Sequence, residues 1–422
     1  MNTGATGMLF AEVCILAKLS KHLTLFAIIL LLAGCASTVG KRTVNEQEVL
    51  QRADHELRET QLLDVWIELF DAGELPEDKA QARGLSMEIR EAEARYVPVQ
   101  LRNVMEKTGY WGAVRVMPRD TAGAEVLVRG RIIESDGESL VLEVAASDAS
   151  GQQWFKRVYT GSIEATSYTG LVANSDNFDA VYHAIANDLA QFRNALTDSE
   201  RLTIRQIAEM RFAADMVPDA FTDYLLIDSK GQYSLQRLPA ENDPAFQRAR
   251  VVRERDFLLI DTLNGHYENF YNEMRSPYYE WRRARSNEAA ALREVKKKAN
   301  TRKALGVAAI LGAIAIEALG NGDTRASTGT MRDVMVLGGI YAIKRGMDVN
   351  AQSTIHQGAI EELGESFSSE TKPMVVDVDG EIHELKGSAE AQFEQWRVMM
   401  KNIYQSETGL PPASTSTFKP GD

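Results

Sequence analysis

Val126-Leu-Val-Arg-Gly-Arg-Ile-Ile-Glu-Ser-Asp-Gly-Glu-Ser-Leu-Val-Leu-Glu-Val-Ala-Ala146 decides the fold class. Val126, Val128 and Ile132 alternate with Leu127, Arg129 and Arg131, which is the period of a strand. Asp136-Gly137 supplies a turn that tolerates positive φ, and Leu140 to Ala146 runs back beside the first strand. Ser150-Gly151 then turns the chain into a third strand, Trp154 to Tyr159. An antiparallel meander of this kind has an apolar face that other elements must cover.

Working outward, Ala113 to Val116 reads as a short strand. Val97, Leu101, Val104 and Met105 mark one face of a helix, with Pro98 near its start and Gly109 at its end. Leu85, Met87 and Ile89 alternate with Ser86, Glu88 and Arg90, which predicts one more strand. On the other side, Phe178, Val181, Tyr182, Ile185, Leu189, Phe192 and Leu196 repeat at threes and fours, as in an amphipathic helix. The order strand, helix, strand, meander, helix predicts an α+β fold, a two-layer sandwich with a mostly antiparallel sheet over residues 84–196. This order is similar to the N-terminal domain of TolB and to penicillin-binding-protein activator lipoproteins. The resemblance is one of architecture and rests on no motif residues.

Before the sandwich, Leu50, Leu57, Leu62, Trp66 and Leu69 recur at helical spacing, so residues 45–83 read as an amphipathic helix and linker. After it, Thr197-Asp-Ser-Glu200 is a capping box that opens a helical region over 197–303. Tyr267, Phe270, Tyr271, Tyr278, Tyr279 and Trp281 crowd together there. A charged stretch, including Arg282-Arg283, Arg285, Arg293, Lys296-Lys-Lys298 and Arg302-Lys303, reads either as a solvated helix face offset by Glu288 and Glu294 or as a contact for phospholipid headgroups beside the hairpin that follows. Residues 304–347 read as a Gly/Ala-rich helical hairpin: Ala304, Ala308 and Gly312 recur at every fourth position, and the second arm carries Gly338 and Gly339. Small faces of this sort suit close packing in a core, self-association or membrane contact. Residues 348–410 hold a β-hairpin around Asp379-Gly380 and a helix from about Ser388 to Tyr404. The Pro/Ser/Thr-rich tail, 411–422, has the composition of a disordered segment.

At the other end, Lys18 and Lys21 precede the apolar run Leu23 to Leu32, which is too short for a comfortable membrane span. Leu32-Ala33-Gly34-Cys35 closes it. These residues resemble the type II signal peptide and lipobox of bacterial lipoproteins. The resemblance implies cleavage after residues 1–34, a diacylglycerol on the sulfur of Cys35, and a lipidated tether over 35–44. Ala36, in place of the Asp that retains such proteins at the inner membrane, implies sorting to the outer membrane, facing the periplasm. The other cysteine, Cys14, would leave with the leader, so the mature chain would hold no disulfide.

The net charge of −13 argues against a nucleic-acid partner. His55, His183, His266, His356 and His383 are widely separated and show no metal-ligand spacing. Asp377-Val-Asp379-Gly380-Glu381 lacks the ligand spacing of a calcium loop and reads as a hairpin turn. No phosphate loop or nucleophile elbow is present in the sequence. These readings predict no cofactor, no metal and no enzymatic activity. The expected function is a structural, scaffolding or accessory role in envelope assembly or transport, with an envelope protein and further copies of the chain as partners. Two rivals stay open: a multimeric membrane-active lipoprotein that inserts 304–347, and an envelope hydrolase whose distant acids converge in a pocket.

Overall fold

Strands β1 (Gly40–Thr43) and β2 (Val65–Glu68) form where the sequence predicts a tether and a spacer helix. In the computed structural model, which describes residues 39–45, 47–77, 85–118, 121–163, 168, 176–317, 356–367, 373–378 and 381–408, the segment before β2 is extended apart from one short turn at Glu59–Gln61. The helical spacing of Leu62, Trp66 and Leu69 is overridden by Val65-Trp66-Ile67, all fully buried. Val65 and Ile67 face one core and Trp66 the other. A run that is apolar on both faces suits a central parallel strand.

The expected strand at Leu85–Ile89 is instead the start of helix α1 (Met87–Glu106). Ser86 caps it, its hydroxyl accepting from the Ile89 amide at 3.2 Å. Alternation over five residues loses to a cap followed by apolar positions at threes and fours. Pro98 lies inside α1 rather than near its start and has no N–H to offer the Ala94 carbonyl. The Phe70 amide takes that place, donating to Ala94 O at 3.0 Å, and so ties the end of β2 to the helix.

Strands β3 (Val114–Met117), β4 (Val126–Ser135), β5 (Ser139–Asp148) and β6 (Gln153–Ser162) complete a six-stranded sheet of order β1-β6-β5-β4-β2-β3. The β4–β5–β6 meander is antiparallel, whereas β2 runs parallel to both β3 and β4, so the sheet is mixed. Because β1 and β2 belong to it, the sheet begins well before residue 84. Gly137 makes the β4–β5 turn at φ +94°, and a Cβ there would come within 2.6 Å of the Arg282 carbonyl. Only glycine suits both that conformation and that approach.

Helices α2 (Asp179–Ala195) and α3 (Asp198–Met216) follow, with the expected capping box at Thr197 and Glu200. A short helix α4 (Pro218–Phe221) leads to the hairpin β7 (Leu225–Ile227) and β8 (Tyr233–Leu235). Helix α5 (Pro244–Glu317) has 74 residues, a contour of about 110 Å. Helix α6 spans 356–367, and hairpin β9 (Met374–Val378) and β10 (Glu381–Leu385) leads into helix α7 (Ala389–Thr408).

From Lys41 onward the described residues form one compact unit with two hydrophobic cores. One sheet face packs Val65, Val128, Leu142 and Val144 against Val97 and Leu101 of α1 and Val181, Ile185 and Leu189 of α2. The other core joins Trp66 and Leu127 to Phe212 of α3, Ile260 and Trp281 of α5, and Phe393 and Trp396 of α7. Described residues of the ranges 84–196, 197–303 and 348–410 contribute together to the second of these cores. Helix α7 is fixed by Asp256 on α5, which accepts from Trp396 Nε1 at 2.9 Å and Arg397 Nη1 at 3.3 Å.

Candidate functional site: a tyrosine-lined polar cleft

Helix α1 projects Tyr96, Gln100 and Asn103 from one face, at steps of four and three. Helix α5 projects Glu268, Tyr271, Arg275, Tyr278 and Arg282 by the same rule. Between these faces, with Tyr168, Asp176 and Asn177 of the loop before α2 and Asp179 of its first turn, lies a cleft of about 480 Å³. Its volume falls in the range of about 300–1,000 Å³ usual for small-molecule sites.

The floor is a chain of buried polar groups. Arg282 is 3% exposed and pairs with Asp176 at 2.7 Å. Its other terminal nitrogen donates to the Tyr278 hydroxyl at 2.7 Å. The guanidinium also lies over the rings of Tyr278, 3.9 Å from the centroid, and Phe178, at 4.9 Å. Burial works against the Arg282 charge, but Asp176 and the tyrosines outweigh it and hold its pKa well above the ordinary arginine value. Tyr278 in turn donates to Glu93 Oε1 at 2.6 Å, and Ser135 donates to the same oxygen at 2.5 Å. Burial pushes the Tyr96 and Tyr278 hydroxyls well above the usual tyrosine pKa, so both stay neutral donors.

The wall is held by a second chain. Tyr96 and Tyr271 stack with centroids 4.7 Å apart. Tyr271 donates to Gln100 Oε1, and Gln100 Nε2 donates to Asp179 Oδ1 at 2.8 Å. Burial, and next the nearby charge of Asp176, raise the Asp179 pKa to about 6. Burial likewise raises Glu106, with Glu268 adding to it and Arg102 opposing it. Each of the four lining carboxylates has a structural partner: Asp176 has Arg282, Asp179 has Gln100, Glu268 has Arg102, and Glu106 lies 3.9 Å from Arg102.

The aromatic cluster of the sequence thus lies inside. Tyr267, Phe270, Tyr271, Tyr278 and Trp281 are all buried. Arg282 departs from the solvated face expected of its basic stretch, because the Asp176 carboxylate and two rings replace water around it. Arg285 does pair with Glu288, at 2.9 Å, but both side chains are largely buried rather than solvated. Ala304, Ala308 and Gly312 continue α5 without a break, so the first arm of the expected hairpin is an extension of that helix. Cys35, Gly338 and Gly339 lie outside the described residues, as does the 411–422 tail. Among the described residues, no helix is long and apolar enough to cross a membrane and no group of side chains is arranged to hold a metal ion. Tyr96, Gln100, Asp176 and Asp179 were not singled out by the sequence; the signal available was the helical spacing of Tyr96, Gln100 and Asn103.

No protein family, no curated protein and no solved structure matches this chain.

Proposed function

We propose that this chain is an outer-membrane-anchored lipoprotein facing the periplasm, whose body is a non-catalytic binding module with a structural or accessory role in envelope assembly or transport. The address rests on Leu32-Ala33-Gly34-Cys35. The role rests on one observation: three of the four carboxylates in the cleft, Asp176, Asp179 and Glu268, are hydrogen-bonded by a structural partner, and the fourth, Glu106, lies 3.9 Å from Arg102. Such a site is preorganised to hold a ligand and has no unoccupied base beside a nucleophile. Strand β1 follows the lipobox closely in sequence, so this anchor needs no helical spacer.

Fatty-acid labelling and membrane fractionation of cells producing the wild type and Cys35→Ala test the address. The wild type is expected to carry label and to sediment with outer membranes, and the variant to do neither. Equal labelling of both would overturn the reading. A photo-crosslinker at the exposed Asn272, beside the cleft, is expected to capture a discrete envelope component in intact cells.

The pair Asp176 and Asp179 favours hydrolysis as a second reading. Asp179 keeps its proton to about pH 6 beside an ion-paired neighbour, and split carboxylates of this kind serve as general acid and base elsewhere. Turnover of an envelope polymer that is lost in Asp179→Asn would move the chain into that class.

A further inference from the structure

We infer that the cleft takes a neutral saccharide, an inference that rests on reading it as a binding site. Charge is the first argument. Lys107, Arg275 and Arg282 face Glu106, Asp176, Asp179 and Glu268, so the lining is nearly balanced. The deepest cation, Arg282, is already neutralised by Asp176. An ionic ligand would lose its hydration shell here and gain little field in return.

Hydrogen-bonding capacity is the second argument. Asn177, on the cleft wall, has both its amide nitrogen and its carbonyl oxygen without a partner and closed off from solvent, so a turn of the side chain into the cleft presents both to a ligand at the loss of no existing hydrogen bond. A carboxamide holds a donor and an acceptor side by side. An anion would satisfy only the first and a cation only the second. Vicinal hydroxyls on a sugar ring each donate and accept, and they match both.

The third argument is the aromatic wall. Tyr279 is half-buried, and its ring sits 5.8 Å from that of Tyr168. Its hydroxyl donates to the Tyr168 carbonyl at 3.3 Å, which restrains the ring. A ring fixed in this way offers a flat apolar surface to the C–H face of a pyranose at small entropic cost. The volume of about 480 Å³ accommodates one or two such rings.

Calorimetric titration of the full lipidated chain, in a zwitterionic detergent free of sugar, tests this with maltotriose and tri-N-acetylchitotriose as probes. Alanyl-alanine and citrate serve as the zwitterionic and anionic comparisons. At least one trisaccharide is expected to bind. Asn177→Ala and Tyr279→Ala should weaken binding about tenfold or more, Tyr279→Phe should weaken it less because the ring stays while its restraint is lost, and the remote Lys156→Ala should leave it unchanged. Circular dichroism verifies folding, and the exposed Asn272→Ala replaces Asn177→Ala if that variant unfolds. A folded protein that binds neither trisaccharide overturns the saccharide inference and leaves the anchored binding module standing. Binding of the dipeptide or citrate in their place does the same. Release of new reducing ends would keep the saccharide and overturn the non-catalytic reading.

Discussion

The side-chain amide of Asn264, on α5, pairs with both backbone polar groups of Val116, on the edge strand β3. Its Oδ1 accepts from Val116 N at 2.7 Å and its Nδ2 donates to Val116 O at 3.0 Å. One asparagine thereby imitates the next strand of the sheet, with Arg102 donating to the same Oδ1 at 3.1 Å. At Val116 the edge therefore has no free backbone group to offer another strand.

Asn264→Ala leaves two buried backbone groups at Val116 without partners. Each costs about 1–3 kcal/mol, so a loss of about 2–6 kcal/mol is expected in urea unfolding. The variant should also aggregate sooner than the wild type on heating, as light scattering would show. Retained stability would mean that the edge is satisfied in another way.

Asp176→Asn leaves the Arg282 charge buried and unmatched at the cleft floor. Breaking a buried pair from one side costs about 3–5 kcal/mol. The double variant Asp176→Asn with Arg282→Met should recover much of that loss, since no charge then remains to be compensated. Thermal unfolding of the three proteins measures the recovery.

Glu125 gives the fold a pH dependence. Burial, and next the Asp64 carboxylate, lift its pKa from 4.5 to about 7. The folded protein therefore holds this proton more tightly than the unfolded chain does. Stability from this group declines as pH rises through that interval and is lowest above it. The carbonyl of Glu125→Gln can still accept from the Asp64 amide, which Glu125 Oε2 accepts at 2.9 Å. The variant should gain up to about 3 kcal/mol near pH 8 and nothing below about pH 4.5. A gain that is the same at every pH would refute the assignment.

Pro98→Ala should stabilise the chain far less than removing a proline from a helix interior usually does, which is about 3 kcal/mol. The carbonyl that Pro98 leaves open, Ala94 O, is already used by Phe70 N. A change below about 1 kcal/mol is expected in chemical denaturation.

The meander, α2 and the capping box at Thr197 were legible because their signals are local: alternation, a Gly turn, a face at threes and fours, a cap. Strand β2 was not, because Leu62, Trp66 and Leu69 imitate a helix and only the sheet reveals that both faces of Val65-Trp66-Ile67 are buried. The cleft was hidden for a different reason. Tyr271 and Gln100 are 171 positions apart, and periodicity identifies a face without identifying what it meets. Arg282 shows this most plainly: the basic residue next to it, Arg283, is exposed, while its partner Asp176 comes from a polar loop with no pattern to read.

Strand β1 finds its place in the sheet only against β6. Roughly 110 residues separate them, so this edge is among the last of the sheet's pairings to become available as the chain emerges. The segment Gly40–Thr43 therefore stays unpaired until β6 has been made. Folding then acts as a clock on access to this end of the described chain. Whatever must reach it meets an open segment early, and closure of the sheet ends that window.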